Sequence, residues 1–116
     1  MATKAGSGYV PERGDLIWLS FDPQAGHEQA GRRPAVVLSP ASYNRSSGLA
    51  LVVPVTSHIK SYPFEVLIPA GGHVSGVVLA DHLKSVDWRA RKAERIAALP
   101  EVTLNQVLKK AALLLT

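Results

Sequence analysis

Short apolar runs closed off by Pro, Gly, Ser or Asn set the rhythm of this chain, and only the last sixteen or so residues break it. After Pro11-Glu12-Arg13-Gly14 comes Asp15-Leu16-Ile17-Trp18-Leu19-Ser20-Phe21, and Arg33-Pro34 feeds Ala35-Val36-Val37-Leu38, an unbroken apolar run of the kind found in buried strands. Further runs lie at Leu49 to Val55, Phe64 to Ile68 and Gly76 to Leu79. Five strands are therefore expected before any helix longer than a turn. Leu83 to Trp88 continues or adds a strand, and Ala93 to Ala98 adds another, although alanine has little β preference. From Pro100 the period changes: Leu104, Val107, Leu108, Ala111 and Leu115 recur at helical spacing. Pro100 suits a first turn, and Glu101 suits the positive end of the helix dipole. Strands first and one terminal helix last predict a mainly β fold, a small SH3-like barrel with a C-terminal α-helix.

A chain of 116 residues can bury roughly two thirds of its unfolded surface, enough for one core. The expected organisation is a flexible tail over residues 1–8 and a single domain over 9–116. With no cysteine, neither disulfides nor thiolate chemistry are available, which fits a reducing compartment. The small polar start, Met1 to Gly8, offers no apolar stretch for a signal peptide or membrane anchor. A cytoplasmic protein is expected. Thirteen Lys and Arg against nine Asp and Glu give a net charge of +4, which favours an anionic partner. Arg32, Arg33, Arg45, Lys60 and Lys84 fall at strand ends or in loops, and Arg89, Arg91, Lys92 and Arg95 form a second cluster. A hydrophobic content of 47% is high for a small monomer and suits a buried oligomer face.

The loop from Asp22 to Pro34 is long for so small a domain, and long loops in compact domains tend to carry function. Arg33 precedes Pro34, which pushes its backbone toward extended geometry and fixes where the side chain departs. A guanidinium held in that way either grips a phosphate through two parallel hydrogen bonds or pairs with Glu28. Thr56 and Ser57 follow the buried run ending at Val55; their hydroxyls either donate to a phosphate oxygen or bond their own backbone. Beyond them His58, Lys60, Tyr62 and Phe64 interleave cations with rings, the composition that binds single-stranded nucleic acid by stacking and charge. The four histidines, His27, His58, His73 and His82, lack paired ligand spacing, so no metal site is expected. Nor does any nucleophile-elbow sequence support a Ser-His-Asp triad.

These residues, taken in order, resemble the MazF (PemK-like) family of toxin endoribonucleases. The likeness runs from about Tyr9 to Arg91 and rests on Gly14-Asp15-Leu16-Ile17-Trp18, Phe21-Asp22-Pro23, Glu28-Gln29-Ala30-Gly31, and Arg33 through Pro40. It continues through Tyr43-Asn44, Val53-Pro54 with Thr56, Tyr62 through Val66, Lys84-Ser85 and Trp88-Arg89-Ala90-Arg91. The resemblance implies a barrel of the MazF/PemK/CcdB type, a homodimer, and cleavage of single-stranded RNA, in particular mRNA, at a short sequence motif. It further implies 2′,3′-cyclic phosphate and 5′-hydroxyl ends, no metal or other cofactor, and inhibition by a cognate MazE-like antitoxin. Carried over by position, Glu28, Arg33 and Thr56 are the catalytic set, and Gln29, Asn44, Ser57, His58, Lys60, Tyr62, Phe64, Asp81, His82 and Lys84 are the RNA contacts.

The chain departs from the family pattern at His27, at Arg32, which adds a charge beside Arg33, and at His82, where glutamine is frequent. These bear on which RNA motif is recognised rather than on the catalytic set. Because a guanidinium keeps its proton at neutral pH, charge stabilisation suits Arg33, Glu28 is the better base, and Thr56 donates to a phosphate oxygen. The competing reading is a binding module on the same barrel, such as a gyrase-poisoning toxin that cuts nothing. Such a module has no need of Glu28, Arg33 and Thr56 beside a basic, aromatic loop.

Overall fold

Successive strand residues point to opposite faces of a sheet, and in this chain both faces are covered. That is why the apolar runs are continuous rather than alternating. The computed structural model describes residues 8–21 and 31–116. Most of the expected tail, and the loop segment holding His27, Glu28 and Gln29, lie outside the described residues.

The elements are β1 (Asp15–Phe21), β2 (Gly31–Val37), α1 (Ala41–Ser47), β3 (Leu49–Thr56), β4 (Glu65–Leu67), β5 (Val77–Leu79), β6 (Lys84–Asp87), β7 (Glu94–Ala98) and α2 (Glu101–Ala112). All strand pairings are antiparallel, in the order β4-β5-β3-β2-β1-β7, with β6 also paired to β3. Strand β3 is the hub: its start pairs with β6, its middle with β2 and its last two residues with β5. The fold is thus mainly β with a C-terminal helix, as expected.

Leu16, Val36, Val53 and Val55 turn to one face, where Val66, Val78, Leu99 and the α2 residues Val107 and Ala111 close a first cluster. Ile17, Leu19, Ala35, Val37, Ala50 and Val52 turn to the other, where Val86, Trp88 and Ala93 complete a second. Helix α2 is entered from Pro100, its N-cap residue, at φ −55°. Its buried stripe is Thr103, Val107 and Ala111, with Leu104 and Leu108 packed at the edge. Leu115 does not join it, lying beyond the helix and 72% exposed.

Two further expectations are corrected. A helix, α1, intervenes between the second and third strands, entered from Pro40 and closed by Gly48 in the left-handed region at φ 76°. Its sequence ASYNRSS has no apolar stripe and poor helix formers, and its single buried residue, Asn44, ties it down through hydrogen bonds instead. Strand β2 also begins earlier than its apolar run, at Gly31, because the exposed residues Gly31, Arg32 and Arg33 pair with Phe21, Ser20 and Leu19.

Candidate active site

Arg33 and Thr56 are brought to the same end of the sheet by strand pairing. The β2–β3 register matches Ala35 with Pro54, Val36 with Val53 and Val37 with Val52, so Arg33 on β2 and Thr56 on β3 both lie two residues beyond the paired stretch, at the same end. The two-residue period puts Arg33 and Ala35 on one face with Val52, Pro54 and Thr56. That face is the second apolar cluster, so the site is a charged and hydroxylated margin on a rigid floor. Arg33, Pro34, Ala35, Val52 and Pro54, with Phe21, His82 and Lys84, line a cavity of about 120 Å³.

A larger cavity of about 440 Å³ adjoins it, lined by Thr56, His58, Lys60, Tyr62, Glu65, Leu79 and His82. His82 lines both and is the seam between them. The Thr56 hydroxyl oxygen accepts from the His58 backbone N–H at 3.1 Å, leaving its proton to donate. The reading in which this hydroxyl bonds its own loop is met, and Thr56 lines the larger cavity. The loop after β3 is held by Glu65, whose carboxylate accepts from the backbone N–H groups of Lys60, at 3.1 Å, and Ser61, at 3.0 Å. Ser61 sits at φ 57°, a conformation that this pinning sustains.

Tyr62 donates its hydroxyl to Asp81 Oδ2, and this hydrogen bond raises the phenol above its ordinary range. The other oxygen of Asp81, Oδ1, is buried without a hydrogen-bond partner and stands 3.7 Å from His82 Nε2. The Tyr62 and Phe64 rings lie 6.4 Å apart, tilted by 53°.

Of the expected site residues, Arg33, Thr56, His58, Lys60, Tyr62, His82 and Lys84 line the paired cavities, and Asp81 joins them through Tyr62 and His82. Ser57 is exposed on the same loop, and Phe64 is half-buried beside Tyr62. Asn44 does not belong. It is 0% exposed; its amide donates to the carbonyls of Pro11 (2.8 Å) and Ser39 (3.0 Å), and its Oδ1 accepts from Ser39 Oγ at 2.6 Å. Every polar atom of that side chain is used inside the fold, so RNA contact at Asn44 is corrected to a structural role.

Arg32 points away from Arg33, as neighbours on a strand must. Its guanidinium donates to Ser20 Oγ at 2.5 Å, to the Lys92 carbonyl at 2.7 Å and to Glu94 at 3.2 Å. In the second basic cluster, Arg89 lies over the Trp88 ring at 4.6 Å, Arg91 over Phe21 at 5.3 Å, and Arg95 pairs with Asp15 at 3.3 Å. Glu65 and Gly76 are additions that the sequence left unassigned. A Cβ at Gly76, where φ is 121°, would collide with the Thr56 carbonyl, so only glycine lets β5 press against the backbone that carries Thr56. Nothing in the local sequence separates this glycine from an ordinary strand opener.

The fold is a small antiparallel β domain in which Arg33 and Thr56 line two cavities that share His82. Kinship identifies the family. The sequence pattern of the PemK-like, MazF-like toxins of type II toxin-antitoxin systems matches residues 12–115, and the chain belongs to that family. It is 50% identical over 109 residues to the endoribonuclease toxin MazF of Escherichia coli strain K12, covering 94% of this chain and 97% of that protein. The endoribonuclease PemK of Escherichia coli is 39% identical over 109 residues, with 90% and 82% covered. A crystal structure of MazE-MazF from Deinococcus radiodurans superposes with a TM-score of 0.88 at 59% identity, covering 93% of this chain and 97% of that one.

Proposed function

We propose that this protein is an endoribonuclease toxin of a type II toxin-antitoxin pair, cleaving single-stranded mRNA in the cytoplasm and silenced by a MazE-like antitoxin. What supports the proposal is the placement of Arg33 and Thr56 at neighbouring ends of β2 and β3, lining cavities that share His82, in a chain half identical to a named endoribonuclease toxin. RNA supplies its own nucleophile, the 2′-hydroxyl, so the protein needs no cofactor to make a 2′,3′-cyclic phosphate and a 5′-hydroxyl. The Arg33 guanidinium neutralises charge that builds on the phosphorane oxygens, and the Thr56 hydroxyl donates to one of them. Glu28 is the base that takes the 2′-hydroxyl proton.

Lys60 and Lys84 hold the flanking phosphates, Tyr62 and Phe64 offer faces for unstacked bases, and Gln29, Ser57, His58, Asp81 and His82 contact the strand. The antitoxin blocks cleavage by lying along this groove. The active assembly is a homodimer. No helix among the described residues is long and apolar enough to cross a membrane.

The test is incubation of the purified protein with one RNA sequence in single-stranded and duplex form, in chelator, with and without the cognate antitoxin. Cleavage confined to the single strand and stopped by the antitoxin is expected. Failure to cut, or loss of cutting in chelator, would overturn the proposal.

A further inference from the structure

Away from the catalytic groove, one cavity holds charges that the fold leaves unmatched. Asp15 opens β1, while Leu19, which pairs with Arg33, lies roughly 13 Å further along the same strand. At the Asp15 end is a cavity of about 380 Å³, whose walls include Tyr9, Glu12, Asp15, Arg45 and Arg95. A space of that size takes a ligand of nucleotide dimensions.

Asp15 is the fixed point of this cavity. It is 7% exposed, and its Oδ2 accepts from the Tyr9 hydroxyl at 2.6 Å and from the Glu12 N–H at 3.1 Å. Its Oδ1 accepts from Arg95 Nε at 3.3 Å. A buried carboxylate with three donors is satisfied where it stands. It also holds the Arg95 guanidinium by Nε alone; the two terminal amino groups have no partner among the described residues. Those two groups have the spacing that grips two oxygens of one phosphate.

Arg45, in the last turn of α1, brings a second guanidinium to the cavity, and Glu12 brings a second carboxylate. Neither side chain has a hydrogen bond or ion pair among the described residues. Asp15 and Arg95 neutralise each other, so one unmatched cation and one unmatched anion line the same space. Two guanidiniums select an anion with several oxygens. A carboxylate only accepts, so the same ligand has to offer donors to Glu12. Among the four RNA bases, guanine alone has two adjacent N–H donors, N1–H and N2–H, on one edge. Adenine and cytosine set an acceptor beside the amino group, and uracil flanks its single N–H with carbonyls.

We propose that this cavity is a second nucleotide site, selective for a guanosine 5′-phosphate. Arg45 and Arg95 grip the phosphate, and Glu12 accepts from N1–H and N2–H of the base. The site goes beyond the ribonuclease reading and does not rest on it. A free nucleotide and a guanosine within an RNA strand present the same groups, and the test separates them.

Binding to the full chain is measured by calorimetry with 5′-GMP, with 5′-AMP and with the trinucleotide UGU, its sugars 2′-O-methylated so that it is not cut. Each titration is repeated in Arg33→Ala, which tells this cavity from the catalytic groove. GMP should bind both proteins, at least about tenfold tighter than AMP. Arg45→Ala removes an exposed side chain and should weaken GMP about tenfold or more, and Arg95→Lys, which keeps a cation beside Asp15 but loses the fork, should weaken it as well. Glu12→Gln should bring GMP and AMP to within about threefold of each other. Tighter binding of GMP than of UGU identifies the free nucleotide as the ligand, and the reverse identifies the strand. Absence of saturable GMP binding, equal affinity for GMP and AMP, binding lost in Arg33→Ala, or binding unchanged in Arg45→Ala would each overturn the proposal. A protein that binds GMP in this way yet cuts no RNA would refute the ribonuclease reading and leave this site standing.

Discussion

Asn44→Ala separates a core amide from an RNA contact. The Asn44 side chain is fully buried and joins three segments: it donates to Pro11 O and Ser39 O and accepts from Ser39 Oγ, which itself accepts from the Leu51 N–H at 2.8 Å. Truncation leaves two carbonyls and a hydroxyl proton without their partner. Buried orphans cost about 1–3 kcal/mol each, and water entering the vacated space offsets part of that, so the expected loss is about 3–5 kcal/mol. A chain of this length is stabilised by about 6–17 kcal/mol, so the loss is large yet survivable. At roughly 4 °C per kcal/mol, Tm should fall by about 12–20 °C. Urea unfolding at fixed protein concentration, so that dimer linkage stays constant, gives the number. RNA cleavage per folded molecule should match wild type. A loss below about 1 kcal/mol, or weakened RNA binding at unchanged stability, would refute this reasoning and return Asn44 to the groove.

Arg33→Ala should reduce single-turnover cleavage on the order of 10²- to 10³-fold with folding retained, and Thr56→Ala should lose less; wild-type rates in both would put the site elsewhere. Log K for RNA should fall against log salt by about 0.7 per neutralised phosphate, and Lys60→Gln or Lys84→Gln should each flatten the slope by about that amount; unchanged slopes would take both lysines off the RNA path. Burial, then the 2.6 Å hydrogen bond to Asp15, raises the Tyr9 phenol above its ordinary 10.0. The protonated form is favoured by folding, so its contribution is whole below about pH 10 and lost as pH climbs toward the folded-state value. Tyr9→Phe should therefore cost about 1–3 kcal/mol at pH 7 and flatten the alkaline loss of urea resistance; a variant as alkali-sensitive as wild type would clear Tyr9 of that role.

Periodicity revealed those parts of the fold that burial controls. Strand β1 has the expected bounds, and Val36, Val53 and Val107 are core because their neighbours repeat at strand or helix spacing. Elements held by polar contacts stayed hidden: α1 has no stripe, and the first three residues of β2 are exposed and lie before a proline. Candidate site residues could be named from the chain, but not the geometry that relates them. Thr56 and Arg33 could be named from the chain, yet whether β2 and β3 were neighbours had to come from the pairing. Asn44 misled because a polar side chain reads the same whether it faces water or satisfies a buried turn, and Gly76 was silent because its value lies in the backbone pressed against it.

The central claim is that this groove lets RNA cut itself through its own 2′-hydroxyl. It is tested most directly by one substitution: a single 2′-deoxy nucleotide 5′ to the mapped cut, in an otherwise unchanged RNA, assayed under single turnover with the product ends analysed. The account predicts cyclic phosphate ends from the all-ribose strand and no cleavage at the deoxy linkage. Equal cleavage of both strands would contradict it.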